Sequence, residues 1–325
     1  MAPNPAEPHL IDLDQPLPGQ RRFISCWART KGDVTFVVDP GPPGTVDRLV
    51  RALRERGLGR LDFILLTHVH LDHGGCTARL LETWPDAKVI CHELGRAHLI
   101  DPGRLWEGSQ RVLGGKAAVY GKPSPVPPSA LAEATAGEVH GIRLIPTPGH
   151  APHHVAFSHG DDLFLGEAAG TFSTVGRGPD TRDYYLRPAT PPRFFPEVAR
   201  ASLDRLLALD PLPRNLRFAH HGLFRGDGRE LLTVARGQID LWLEACRQAL
   251  AARRGLPHTE AGSEHDLFEA IADLAHRTDP HYARGAGLPA DIREREREFT
   301  RQSLRGMLGY LAEAEAAAAD DDETG

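Results

Sequence analysis

One stretch constrains this chain more than any other: a short apolar run, residues 61–66, leads straight into Thr67-His68-Val69-His70-Leu71-Asp72-His73-Gly74-Gly75. His68, His70, Asp72 and His73 place four potential metal ligands within six residues, directly after a strand that fixes the first of them. Imidazole and carboxylate are the groups that Zn²⁺, Mn²⁺ and Fe²⁺ accept. The alternating spacing lets His68 and His70 face one ion, while Asp72 and His73, around the tight Gly74-Gly75 turn, face another. The competing reading, an exposed polar loop that merely contains several histidines, does not account for so dense a cluster.

Around this loop the chain alternates strands and helices. Residues 21–30 and 34–38 read as paired strands about a turn at Lys31-Gly32-Asp33, the second ending at Asp39-Pro40-Gly41. Thr45 is placed to cap a helix that carries Val46, Leu49, Val50 and Leu53 on one face and stops at Gly57. A helix over 77–83 and a strand over 88–91 follow. The Gly- and Pro-rich residues 114–128 read as a long loop. Order returns with a strand over 140–145, which ends in Pro146-Thr147-Pro148-Gly149-His150. Residues 155–158 and 163–165 form a hairpin closed by Gly166-Glu167, residues 170–192 look like loop, and 196–209 has helical spacing. A last short strand over 215–219 runs into His220-His221-Gly222. Beyond Gly228 the pattern is helical, over about 230–254, 263–277 and 290–317, before an acidic tail that reads as disordered.

Composition removes several classes. At 325 residues with 41% hydrophobic and 25% charged side chains, the chain has ample material for a core. Its net charge of −6 supplies no broad positive surface for a phosphate backbone, which argues against nucleic acid as a partner. Four scattered cysteines without a C-x-x-C pair form neither a disulfide framework nor a zinc ribbon. The first twenty residues lack the charged and apolar regions of a signal peptide, and no apolar run spans a bilayer, so the expected location is cytoplasmic, with no membrane partner. Histidine is the one excess, at 17 residues.

The His68-x-His70-x-Asp72-His73 loop resembles the hallmark of the metallo-β-lactamase superfamily, and over residues 20–225 further landmarks appear in the same order. Asp39-Pro40-Gly41 resembles the early aspartate turn that supports the metal loop. Thr147-Pro148-Gly149-His150 is similar to the loop that supplies a third histidine to the first metal. Gly166-Glu167 stands where the family carries Gly-Asp, whose aspartate bridges both metals; this is the principal departure, because one extra methylene moves the carboxylate by ~1.5 Å. His220 or His221 resembles the last histidine. His220 is favoured because it directly follows the strand, with His221 then facing the cleft or a neighbouring group. His154 reads as a supporting or packing residue. The segments Thr190-Pro191-Pro192-Arg193-Phe194 and Leu216-Arg217-Phe218-Ala219-His220-His221-Gly222 are similar to members related to hydroxyacylglutathione hydrolases and lactonases.

The resemblance implies an α/β fold, a four-layer αββα sandwich over 20–225; beyond it the helical spacing reads as a C-terminal extension over 226–318 packed on the sandwich, with irregular or disordered ends at 1–19 and 319–325. It implies two divalent transition metals, zinc first and iron or manganese as alternatives, held by His68, His70, Asp72, His73, His150, Glu167 and His220. The function expected is a binuclear metallo-hydrolase that uses a metal-bound hydroxide to cleave a small ester, thioester or lactone. Asp72 orients the nucleophile and carries a proton to the leaving group, and Tyr184 or Tyr185 hydrogen-bonds the substrate carbonyl unless both are packing residues. The alternatives are a mononuclear iron enzyme of the persulfide-dioxygenase kind and a metal-binding protein without turnover. Ile239, Trp242, Leu243, Cys246 and Leu250 at helical spacing read as core, with a lid over the active site or a homodimer surface as the alternative.

Overall fold

The computed structural model describes residues 7–132, 137–177, 183–254 and 263–323. Its first sheet holds β1 (His9–Asp12), β2 (Ser25–Arg29), β3 (Phe36–Val38), β4 (Phe63–Leu65) and β5 (Lys88–Ile90), side by side in that order. The β3–β4 and β4–β5 pairs are parallel. Parallel neighbours need a crossover, and α1 (Val46–Glu55) supplies the first, while α2 (Leu71–Gly74) and α3 (Thr77–Thr83) supply the second. Between β5 and the second sheet lie α4 (Glu93–Ile100), α5 (Gly103–Leu113) and α6 (Gly115–Tyr120).

The second sheet contains β6 (Glu138–Val139), β7 (Ile142–Pro146), β8 (Val155–His159), β9 (Asp162–Gly166), β12 (Asn215–Phe218) and β13 (Gly222–Phe224) in the spatial order β13-β12-β9-β8-β7-β6. A two-stranded ribbon, β10 (Thr171–Ser173) with β11 (Tyr185–Arg187), and the helix α7 (Pro196–Leu207) connect β9 to β12. The chain then forms α8 (Gly228–Arg254), α9 (Glu264–Thr278), α10 (Pro280–Ala283) and α11 (Ala290–Glu323).

Period-two alternation sorts the strand residues into three cores. Cys26, Ala28, Val37 and Ile64 face α1 and α3, whereas Trp27, Phe36, Val38, Phe63 and Leu65 point the other way and meet Val155, Phe157 and Phe164 of the second sheet. On the far side of that sheet Ala156, Leu163, Leu165 and Leu216 pack against α7, α8, α9 and α11. Helices, sheet, sheet and helices therefore stack as four layers. Trp27 Nε1 donates to Phe218 O at 2.8 Å, and the Val155 amide to Thr67 O at 2.8 Å, which locks the sheets together near one edge.

Several expectations need correction. The N-terminal segment is not wholly irregular, since Ile11 is buried and residues 9–12 pair with β2. Thr45 does not cap α1; its hydroxyl donates to Pro42 O in a 3-10 turn that precedes the helix. In the stretch expected as loop, Gly114 (φ 56°) and Gly121 (φ 90°) bracket α6, so those glycines are helix boundaries. Residues 170–192 contain β10 and β11, paired across a separation no local pattern signals. Over 318–323, within the end expected to be irregular or disordered, α11 continues to Glu323, carried on from the Ala- and Glu-rich turns at 312–317. Ile239, Trp242, Leu243 and Cys246 are core against the second sheet. No helix among the described residues is long and apolar enough to cross a membrane.

Candidate metal centre

β3, β4, β7, β9 and β12 all deliver their C-terminal ends to one edge between the sheets. The residues just beyond those ends are Asp39, Thr67 and His68, His150, Glu167 and His220. Side chains far apart in sequence thus meet because parallel strands finish together.

The ligand atoms fall into two clusters, His68, His70, His150 and Glu167 in one and Asp72, His73 and His220 in the other, each with its atoms within 4.8 Å of one another. Glu167 touches both. Its Oε2 lies 2.9 Å from His150 Nε2, 3.5 Å from His68 Nε2 and 3.4 Å from His73 Nε2, while Oε1 is 3.4 Å from His220 Nε2. Asp72 Oδ2 is 3.5 Å from His73 Nε2 and 3.6 Å from His220 Nε2. The donor set fits divalent transition metals, and two of its atoms need such a partner, since His68 Nε2 and His73 Nε2 are buried without any hydrogen bond.

Hydrogen bonds on the opposite ring nitrogens fix which atom faces the centre. His73 Nδ1 donates to Asp39 Oδ2 at 3.2 Å, and His68 Nδ1 lies 3.1 Å from Thr67 Oγ1, which itself donates to Asp39 Oδ2 at 2.7 Å. Asp39 Oδ1 also accepts the Thr67 amide at 2.8 Å. One carboxylate thus sets the tautomer of two ligands, a common arrangement behind metal-binding histidines. His150 Nδ1 donates to Ala189 O at 3.0 Å, leaving Nε2 for the centre. His154 is not in either cluster: Nδ1 meets Thr147 Oγ1 at 2.9 Å and Nε2 accepts the Glu167 amide at 3.1 Å, so it fixes the backbone that carries Glu167.

Burial and mutual repulsion with neighbouring histidines hold His68 and His70 well below the ordinary imidazole range, neutral and able to donate a lone pair. Burial pushes against charge on Glu167 as well, but His150 and His220 beside it outweigh that and keep its carboxyl well below the usual range. At His73 the desolvation is overcome by Asp72 and Asp39, which raise it.

His221 turns away from the clusters. Its φ is 46°, and Nε2 meets Asp12 Oδ1 at 3.1 Å. Tyr184 and Tyr185, expected at the cleft, are brought elsewhere: Tyr184 is buried in a stack with Phe172 and His281, and Tyr185, also buried, faces a cavity of about 310 Å³ walled by α9 and α11. Tyr184 precedes β11 and Tyr185 opens it, and both side chains have apolar bodies, so the core claims them. Sequence reasoning missed Asp12, Phe23 and Ala189 O, none of which belongs to a motif. Thr67 and Thr147, by contrast, sit inside the motifs that flagged their neighbours.

Two sheets between helical layers, with clustered histidines and carboxylates at a shared strand edge, define a metal-binding αββα protein. The chain belongs to the metallo-β-lactamase superfamily, whose profile matches residues 19–221. A metallo-β-lactamase fold-containing protein of Sulfurisphaera tokodaii is 33% identical over 175 residues, which are 51% of this chain and 62% of that protein, so the match spans under two thirds of the relative. A hydroxyacylglutathione hydrolase of Rhodopseudomonas palustris is 26% identical over 242 residues, 73% of this chain and 79% of the relative. The crystal structure of a metallo-β-lactamase family protein from Thermus thermophilus shares the fold with a TM-score of 0.63 at 23% identity, covering 96% of this chain and 95% of that one.

Proposed function

We propose that the chain is a binuclear metallo-hydrolase of small carboxyl esters, thioesters or lactones. The observation that carries the reading is the position of Glu167, whose two oxygens reach ligands of both clusters, so this one carboxylate would serve both donor sets. Bound there, two divalent ions would acidify a water and polarise a carbonyl. The chain's own residues provide the rest. The Asp39 network fixes the rings of His68 and His73, and His154 holds the Glu167 backbone. Asp72, whose side chain is 21% exposed against 8% for Glu167, is the carboxylate with access to a substrate, and it orients the water and takes its proton. The net charge of −6 and the name of one relative, a hydroxyacylglutathione hydrolase, support a small carbonyl substrate over a polyanion. Zinc is the metal we expect, with iron or manganese as alternatives.

The test is a panel of thioesters, lactones, carboxyl esters, phosphodiesters and RNA, assayed on protein of known metal content. Turnover of a carbonyl substrate that chelator abolishes and added metal restores is expected, with Glu167→Gln losing most of it and Glu167→Asp retaining it. Nucleic-acid cleavage with every carbonyl substrate intact would contradict the substrate class, and thiol-dependent oxygen uptake by an iron form would contradict the reaction.

A further inference from the structure

His220 differs from His68, His73 and His150 in what holds it. His68, His73 and His150 each have the ring nitrogen opposite the centre engaged by a hydroxyl, a carboxylate or a carbonyl. His220 Nδ1 is buried with no hydrogen-bond partner, so no polar contact fixes this ring in the plane that aims Nε2 at Asp72 and Glu167. Its ring instead lies flat on Phe23, centroid to centroid 4.1 Å with 9° between the planes. Phe23 is covered in turn by the guanidinium of Arg295, 4.1 Å from its centroid. A stacked imidazole and a guanidinium at the same distance can only take opposite faces of one ring.

Arg295 belongs to α11, outside the matched family segment, and it is fixed on all sides. It donates twice to Glu296 Oε1, at 2.8 and 2.9 Å, and to Gly19 O at 2.8 Å, and Glu296 is paired on its other oxygen with Arg187 at 2.7 Å. Arg295, Glu296 and Arg187 are all buried. Residue 24, next to Phe23, forms an isolated antiparallel bridge with His220, so the backbone also keeps the two rings in register.

We infer that the Arg295–Phe23–His220 stack is a positioning device by which the C-terminal helix sets the affinity of the cluster formed by Asp72, His73 and His220. Phe23 and Arg295 are positioning residues, acting through His220 alone. A flat aromatic contact with a cation on its far face resists tilting of the imidazole, as a hydrogen bond does for His68, His73 and His150. The inference rests on the two-ion reading above.

Zinc affinity tests it directly, by competing metal-free protein against a chromogenic chelator and resolving two binding constants. His220→Ala identifies the step that belongs to the second cluster. Phe23→Leu, which keeps apolar bulk and removes the flat face, is expected to weaken that step about tenfold or more, the range seen when an outer partner of a ligand is lost, and to leave the other step unchanged. Arg295→Met uncovers the outer face of Phe23 while removing the bonds to Glu296 and Gly19 O, and is expected to shift the same step in the same direction by less with the other step unchanged; it stands in for Phe23→Leu if that variant does not fold. Equal weakening of both steps would mean that the ring merely supports the fold, and an unchanged second step would mean that stacking does nothing, either of which overturns the inference alone. Uptake of a single zinc by the parent protein would instead contradict the two-ion reading, and this inference with it.

Discussion

Asp39 shows how much one buried carboxylate can organise. It takes the Thr67 amide, the Thr67 hydroxyl and the His73 ring, and through Thr67 it reaches His68. Its φ of 50° is a conformation that costs a residue with a side chain of order 1–3 kcal/mol, and the bonds it makes offset that cost. Asp39→Ala is therefore expected to leave the ligands present but unaligned, with zinc affinity down by about 10- to 100-fold while far-ultraviolet circular dichroism is unchanged. Unaltered affinity by equilibrium dialysis would show that Thr67 and His73 need no anchor. At this scale the sequence was informative where ligands are contiguous or framed: His68, His70, Asp72 and His73 lie on one loop, and Pro148-Gly149 marks His150. It was silent on what holds them. The stack of Phe23 on His220 and the approach of His221 to Asp12 join residues about two hundred positions apart, and no local pattern encodes such contacts.

Among the elements, the strands β3, β4, β7, β8, β9 and β12 were legible because short apolar runs bounded by turn residues mark buried strands. Elements whose definition depends on partners were not, namely β1, the β10–β11 ribbon and β13. Gly166 illustrates how an element end is tuned to the site. Its φ is 54°, and a Cβ there would lie 2.5 Å from His154 Nε2 and 2.7 Å from Thr67 Oγ1, so β9 can release Glu167 into the centre only with glycine at that point. The element that most exceeds its sequence signal is α11, which carries charge into the core. Burial pushes the Glu296 carboxyl up, yet Arg187 and Arg295 bring it down to about 2 from an ordinary 4.5. A carboxyl lowered on folding stabilises the protein above the ordinary value, and that stability is lost as pH falls towards the folded one, an interval worth about 3 kcal/mol. Glu296→Gln is accordingly expected to cost about 3 kcal/mol at pH 7 and less than half of that at pH 3. Urea unfolding of the metal-free proteins at both values checks this; a difference that did not shrink on acidification would mean that Glu296 acts by packing and not by charge.

Viewed whole, the molecule uses its four layers to bring strand ends from two sheets to one edge and braces that edge with one helix from outside the family segment, α11, through Arg295 on Phe23. Chain order made the α/β alternation readable and the resemblance carried by the histidine loop implied the sandwich, whereas the way α11 reaches back to residues 19–23 depends on closure of the whole chain. The central claim is that two metal ions in this edge perform hydrolysis. Its most direct test is to titrate zinc into metal-free protein while following the hydrolysis of a thioester or lactone substrate. Activity that rises to a break at two equivalents of zinc is the expected result; a break at one equivalent, or a rate indifferent to zinc, would contradict the account.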